Sequence, residues 1–119
     1  MSTRAVITFI DSDDRFSVYQ HCDGYPSGMA ASLIVAIDSG KCWPLPRFEA
    51  DEFAAGFIAA NKDHSGNYRC TTGPDRHGDL EYIYTFDGLN VKCFEAGNTH
   101  PLFQGAVTKF IAWAKKTKR

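Results

Sequence analysis

A chain of 119 residues that is 44% hydrophobic and 23% charged has the composition of one globular domain, which excludes a disordered or low-complexity chain. No apolar run approaches the roughly 18–20 residues of a membrane-spanning helix, and a core of this size needs no metal or disulfide staple. The net charge of −1 hides an asymmetry: residues 1–95 carry eight Lys/Arg against fourteen Asp/Glu, a net of −6, whereas residues 96–119 carry five Lys/Arg and no acid.

Residues 4–10, Arg-Ala-Val-Ile-Thr-Phe-Ile, read as a strand apolar on both faces and therefore as a central or well-covered one. Asp11-Ser12-Asp13-Asp14 is a turn of short polar residues that bond their own backbone. It lacks the glycine and closing Glu of a calcium loop, so no metal is expected there. Residues 15–22 form the second strand of an antiparallel hairpin. Alternation puts Phe16, Val18 and Gln20 on one face and Arg15, Ser17, Tyr19 and His21 on the other.

His21-Cys22-Asp23-Gly24-Tyr25-Pro26-Ser27-Gly28 then turns strand into helix. Gly24 is expected to supply a positive φ, Pro26 to hold Tyr25 extended, and Ser27 to cap a helix over residues 28–38. That helix is apolar nearly all round, which calls for burial on more than one side. Residues 41–46, with Pro44 and Pro46, make an extended connector that Trp43 and Leu45 would anchor. A second helix is expected over residues 47–62, with Glu49, Asp51 and Glu52 at its positive end and Phe53, Ala54, Phe57 and Ile58 as its apolar stripe. Gly56 within it marks a close approach or a tolerated cost.

Residues 67–72 read as a third strand, 73–78 as a loop, and 79–86 as a fourth strand. Asp87-Gly88 is a hairpin turn leading to a returning strand over 89–95. After a loop at 97–101, a helix is expected over 102–116, burying Phe103, Val107, Phe110, Ile111 and Ala114. The order ββααβββα predicts one α+β domain over residues 1–119, with three helices on one side of a mostly antiparallel sheet of about five strands.

Chemistry is sparse in this pattern. Cys22, Cys42, Cys70 and Cys93 are spaced by 20, 28 and 23 residues without a C-x-x-C pair. No secretory leader pattern precedes the first strand, so a cytoplasmic location and free, mostly buried thiols are expected. The histidines, His21, His64, His77 and His100, show no metal-binding spacing, and no phosphate-loop or dinucleotide fingerprint is present, so neither metal nor cofactor is expected.

Three side chains at the strand-to-helix corner are the candidate catalytic residues. His21, Asp23 and Tyr25 lie at alternate positions and point the same way if the backbone stays extended. An Asp beside a His forms the start of an acid–base pair, which suits a hydrolase or transferase, with Tyr25 as a positioning group. The structural alternative is a corner in which each serves the backbone. Tyr19, Tyr68, Tyr82 and Tyr84 would make a stacking platform for nucleobases or peptide if they shared a face; otherwise they are core. Lys109, Lys115, Lys116, Lys118 and Arg119 would bind nucleic acid, or simply solvate the last helix and complement its dipole.

The string Arg15-Phe16-x-Val18-Tyr19-x-His21-x-Asp23-Gly24-Tyr25-Pro26-x-Gly28, with Trp43-Pro44-Leu45-Pro46-Arg47 and Asp79-Leu80-Glu81-Tyr82, resembles small uncharacterised proteins of tailed phages and bacterial prophages. The resemblance covers most of the chain. It implies a compact single domain in the cytoplasm of a bacterial host, and it supplies no catalytic residues. The leading expectation is a small non-enzymatic protein that acts by contact with a protein partner or a second copy of itself. The alternatives are the His21/Asp23 enzyme and nucleic-acid binding through the C-terminal helix.

Overall fold

Ala5–Ile10 form strand β1, whose side chains are apolar on both faces and buried on both. That places it inside the sheet, between β2 (Arg15–Gln20) and β4 (Tyr82–Phe86). The computed structural model describes residues 2–117. Within them, β2 leads to helices α1 (Pro26–Asp38) and α2 (Ala50–Asn61), then β3 (Tyr68–Thr71) and a 3-10 turn (Pro74–Arg76). After β4 come β5 (Asn90–Glu95), β6 (Phe103–Ala106) and helix α3 (Val107–Lys115).

The fold is α+β, with three helices and a six-stranded mixed sheet in the order β3-β2-β1-β4-β5-β6. The sheet is mostly antiparallel, as expected, and two features refine the expectation of about five strands. The sixth strand is β6, in residues expected to begin the last helix. Phe103 keeps the apolar periodicity of that helix because it packs back onto it from the strand, stacking on Trp113 at 5.2 Å and touching Phe110 at 5.6 Å. The other is the β1–β4 pair, which is parallel, with Ile7 opposite Tyr84 and Phe9 opposite Phe86, while the remaining pairings are antiparallel.

All three helices lie on one face. Ala5, Ile7, Phe9, Val18, Tyr84, Phe86, Val91 and Cys93 meet Met29 and Leu33 of α1, Phe53 and Phe57 of α2, and Phe110 of α3 in one cluster. Phe9 sits at its centre, with ring centroids 5.0 Å from Phe53 and 5.2 Å from Phe57. Apolar nearly all round, α1 lies against both other helices as well as the cluster.

α2 begins at Ala50 rather than Arg47. Arg47 stacks on Trp43, 3.6 Å from the ring centroid, and Phe48 is buried. Cys42 within the connector and Phe48 just after it are the buried anchors, and Leu45, expected in that role, is half exposed. The first turn of α2 takes its cap from a distant turn: Asp11 Oδ2 accepts the Ala50 N–H at 2.8 Å while Oδ1 accepts the N–H groups of Asp13 and Asp14.

The β3–β4 connection decides what covers the other face. β3 is an edge strand and β4 lies beyond β1, so residues 72–81 must cross β2 and β1. They cross opposite the helices, where His77 stacks on Tyr19 and Arg4 pairs with Asp79 at 3.1 Å. Val6, which points to that face, is fully buried.

Candidate functional site

The strand-to-helix corner is held from below by Gln20. Its amide is fully buried on the apolar face of β2, and Nε2 donates to the carbonyls of Cys22 at 2.9 Å and Asp23 at 3.0 Å. Asn67 holds the other side: its carbonyl accepts the His21 N–H at 2.8 Å and its Oδ1 accepts the Cys22 N–H at 2.6 Å. Gly24 donates to Thr3 O and accepts from the buried Tyr84 hydroxyl at 2.7 Å.

The expected positive φ falls on Asp23, at +60°, and not on Gly24. The two glycines serve close packing instead. A Cβ on Gly24 would lie 2.6 Å from Ala5 Cβ, and one on Gly28 would run into the Asp23 carbonyl. Ser27 is not the cap: the N-cap is Tyr25, with Pro26 opening the helix, and no side chain caps it.

The left-handed turn at Asp23 separates the three candidate catalytic side chains. Asp23 and Tyr25 come together, the Tyr25 hydroxyl donating to Asp23 Oδ1 at 3.2 Å. His21 goes to the opposite face of the sheet, where its Nδ1 hydrogen-bonds the Tyr19 hydroxyl at 2.8 Å. Alternation along β2 therefore governs His21, and the turn governs Asp23 and Tyr25.

Asp23 and Tyr25 stand at the rim of a cleft of about 350 Å³ between the start of α1, the end of α2 and β3. Its polar groups are bound to one another. Ser32 Oγ donates toward Gln20 Oε1 and the Gly28 carbonyl, both at 3.2 Å, and hydrogen-bonds Tyr68 OH at 2.8 Å. Asn61 Nδ2 donates to the carbonyls of Ser32 and Phe57. Burial pushes the Tyr68 phenol upward, and the Asp23 and Asp63 charges add to this against the Ser32 hydrogen bond. The cleft floor is a closed network of neutral partners. Gln20, Ser32, Asn61 and Asn67 were not singled out from the sequence; the available signal was an amide on the apolar face of a strand, which must find partners when buried.

The cysteines are free thiols. Burial pushes Cys42 up to about 11 and Cys93 up to about 12, which makes both poor nucleophiles at neutral pH. Cys70, on edge strand β3, is exposed. Among the described residues, no three His, Cys, Asp or Glu side chains gather to hold a metal, and no helix is long and apolar enough to cross a membrane. The tyrosines do not form a platform: Tyr68, Tyr82 and Tyr84 pack toward the helices and Tyr19 lies on the other face. Lys109 and Lys115 are exposed on α3 with Lys116 just beyond it, while Lys118 and Arg119 lie outside the described residues.

A second kind of cavity lies beside β3, between it, β2 and α2. Phe16, Val18, Ala54, Ala55 and Ile58 line an apolar groove of about 240 Å³, and Phe16 is 43% exposed at its mouth. The groove opens at the sheet edge. The His21–Asn67 bond sets the phase of the antiparallel ladder, so Tyr19–Arg69 and Ser17–Thr71 are the bonded pairs. Tyr68 and Cys70 then turn their backbone groups outward. Lys62 Nζ donates to the Tyr68 carbonyl at 3.2 Å, which leaves the Cys70 N–H and C=O at the open edge.

Comparison of the chain with protein-family models, with curated proteins and with solved structures found no match.

Proposed function

We propose that this protein is a non-enzymatic binding domain that works by protein–protein contact, and that the groove beside β3 receives an extended segment of the partner. The observation that carries this reading is the position of Phe16, a large aromatic left 43% exposed over an apolar groove. At about 240 Å³ the groove is smaller than the usual small-molecule pocket and suits an anchoring side chain of a protein partner. The outward N–H and C=O of Cys70 offer the hydrogen bonds by which an extended segment joins a sheet edge. The rest of the chemistry favours binding over catalysis: His21 and Asp23 hydrogen-bond different tyrosines, and two of the four thiols are buried and weakly acidic. The resemblance to small phage and prophage proteins suggests the setting, a bacterial cell carrying a phage genome.

The test is photo-crosslinking. With p-benzoylphenylalanine in place of Phe16, irradiation in the cells that make the protein should give one defined adduct, mapped to an extended segment of another protein. A synthetic copy of that segment should bind the purified chain and bind Ala55→Glu at least about tenfold more weakly, a loss of about 1.4 kcal/mol. A second copy of this chain as the sole adduct, or a segment that binds Ala55→Glu equally well, would overturn the reading.

A further inference from the structure

The sheet face opposite the helices carries a separate cleft of about 330 Å³, between β3 and the crossing 72–81 connector. Its lining includes Tyr19, Arg69, Thr71, Thr72, Arg76 and His77, and no carboxylate. Asp75, next to Arg76 in the chain, is exposed and lines no part of it. Among the described residues the only side-chain ion pair is Arg4–Asp79, so neither Arg69 nor Arg76 is neutralised by a carboxylate. Two guanidinium groups sharing one concave surface without a counter-charge repel each other, and an anion between them removes that cost.

The cleft is also pre-arranged. Thr71 Oγ1 hydrogen-bonds His77 Nε2 at 2.8 Å, and the His77 ring stacks on Tyr19 with centroids 4.5 Å apart and planes 12° from parallel. The Tyr19 hydroxyl is held by His21. The Arg69 guanidinium lies 5.7 Å from the Tyr19 ring centroid, with Nε donating to the Gly66 carbonyl at 3.0 Å. Arg69 is thus fixed before any ligand arrives, which lowers the entropy lost on binding. Tyr19 is stacked under His77 and buried, so its ring is not open to a stacking nucleobase. Recognition here rests on charge and hydrogen bonds.

We infer that this cleft binds the phosphoryl group of a small phosphate monoester, with Arg69 and Arg76 as paired donors and Thr72 as a hydroxyl donor. Two forked guanidinium groups match the double charge and three oxygens of such a group, whereas a monocarboxylate satisfies only one of them. This cleft and the groove beside β3 meet at Cys70 and Thr71 but are otherwise lined by different residues, and the phosphoryl site does not rest on the groove's occupant.

The experiment is a ¹H–¹⁵N NMR titration of the intact chain with inorganic phosphate, glycerol phosphate and acetate at constant ionic strength. Both phosphates should give saturable shifts at the amides of Thr71, Thr72, Arg76 and His77. Binding should weaken by about tenfold or more in Arg69→Gln and in Arg76→Gln, the loss of a charge-assisted pair, with the remaining spectrum unchanged. If only inorganic phosphate saturates the site, the ligand is the free ion and the monoester assignment fails. Equal binding of acetate, shifts centred on Lys109 and Lys115 instead, or undiminished affinity in both variants would overturn the site.

Discussion

The two faces of the sheet are covered in different ways. The helix face is closed by three helices and an aromatic cluster, Phe9, Phe48, Phe53, Phe57, Phe86 and Phe110, in which apolar area does the work. The other face is covered in part by the 72–81 connector, and its contacts are specific pairs: His77 on Tyr19, His77 to Thr71, His21 to Tyr19 and Arg4 to Asp79. Apolar packing holds the fold, and the pairs on the second face hold particular polar groups in place. The difference separates residues whose loss unfolds the chain from residues whose loss misplaces a functional group.

Breaking the helix face should have the largest effect. Phe53 is fully buried against Phe9, Phe48 and Phe86, and Phe53→Ala should lower the unfolding free energy by about 3–5 kcal/mol in a urea titration. A smaller loss would mean that the cluster collapses readily around the missing ring. Gln20 is next. Gln20→Ala leaves the carbonyls of Cys22 and Asp23 without their side-chain donor and should cost about 1–3 kcal/mol. Amide hydrogen exchange should speed up at Cys22 to Gly24 more than in β4, and uniform acceleration would show that Gln20 stabilises the whole fold instead.

Breaking the second face should be milder. His77→Ala removes one stacked ring and should cost about 0.5–1.5 kcal/mol. His77→Phe, which keeps the ring, should recover most of that, and equal losses in the two variants would show that the Thr71 hydrogen bond matters more than the stack. The smallest effect concerns the β1–β2 turn. Three backbone N–H groups, Ala50 foremost, hold the Asp11 carboxyl below its usual value of 3.8. Its contribution is present above pH 3.8 and is lost as pH falls through the lowered folded value. Asp11→Asn should therefore flatten the stability profile in that acid range and leave its shape at neutral pH unchanged; a wild-type slope there would contradict the trans cap.

Much of this architecture was legible in the sequence because it depends on local pattern. The two-faced apolarity of residues 4–10 made β1 interior, the apolarity of α1 forecast its burial on more than one side, with Ala31 and Val35 left exposed, and of the two readings of Gly56 the close approach holds, to Lys41 and Cys42. The parallel β1–β4 pair was not legible, because it depends on where the long β3–β4 connection runs, and no periodicity records that path. The His21, Asp23 and Tyr25 trio shows the same limit at the scale of a site. Spacing put the three side chains together, and a single left-handed residue, Asp23, sends His21 to one face and Tyr25 to the other. Arg69 and Arg76 carried no motif because only the path of the chain after β3 brings them to one cleft.

The claim that the groove beside β3 is the contact surface is tested most directly by comparing two charge insertions at exposed helix positions. Ala55 lines the groove on α2, whereas Val35, 45% exposed, lies on α1 away from it. Both Ala55→Glu and Val35→Glu should stay folded, since neither side chain is buried. The affinity for the crosslinked partner segment should fall at least about tenfold in Ala55→Glu and stay at the wild-type value in Val35→Glu. Loss in Val35→Glu with retention in Ala55→Glu would contradict the account.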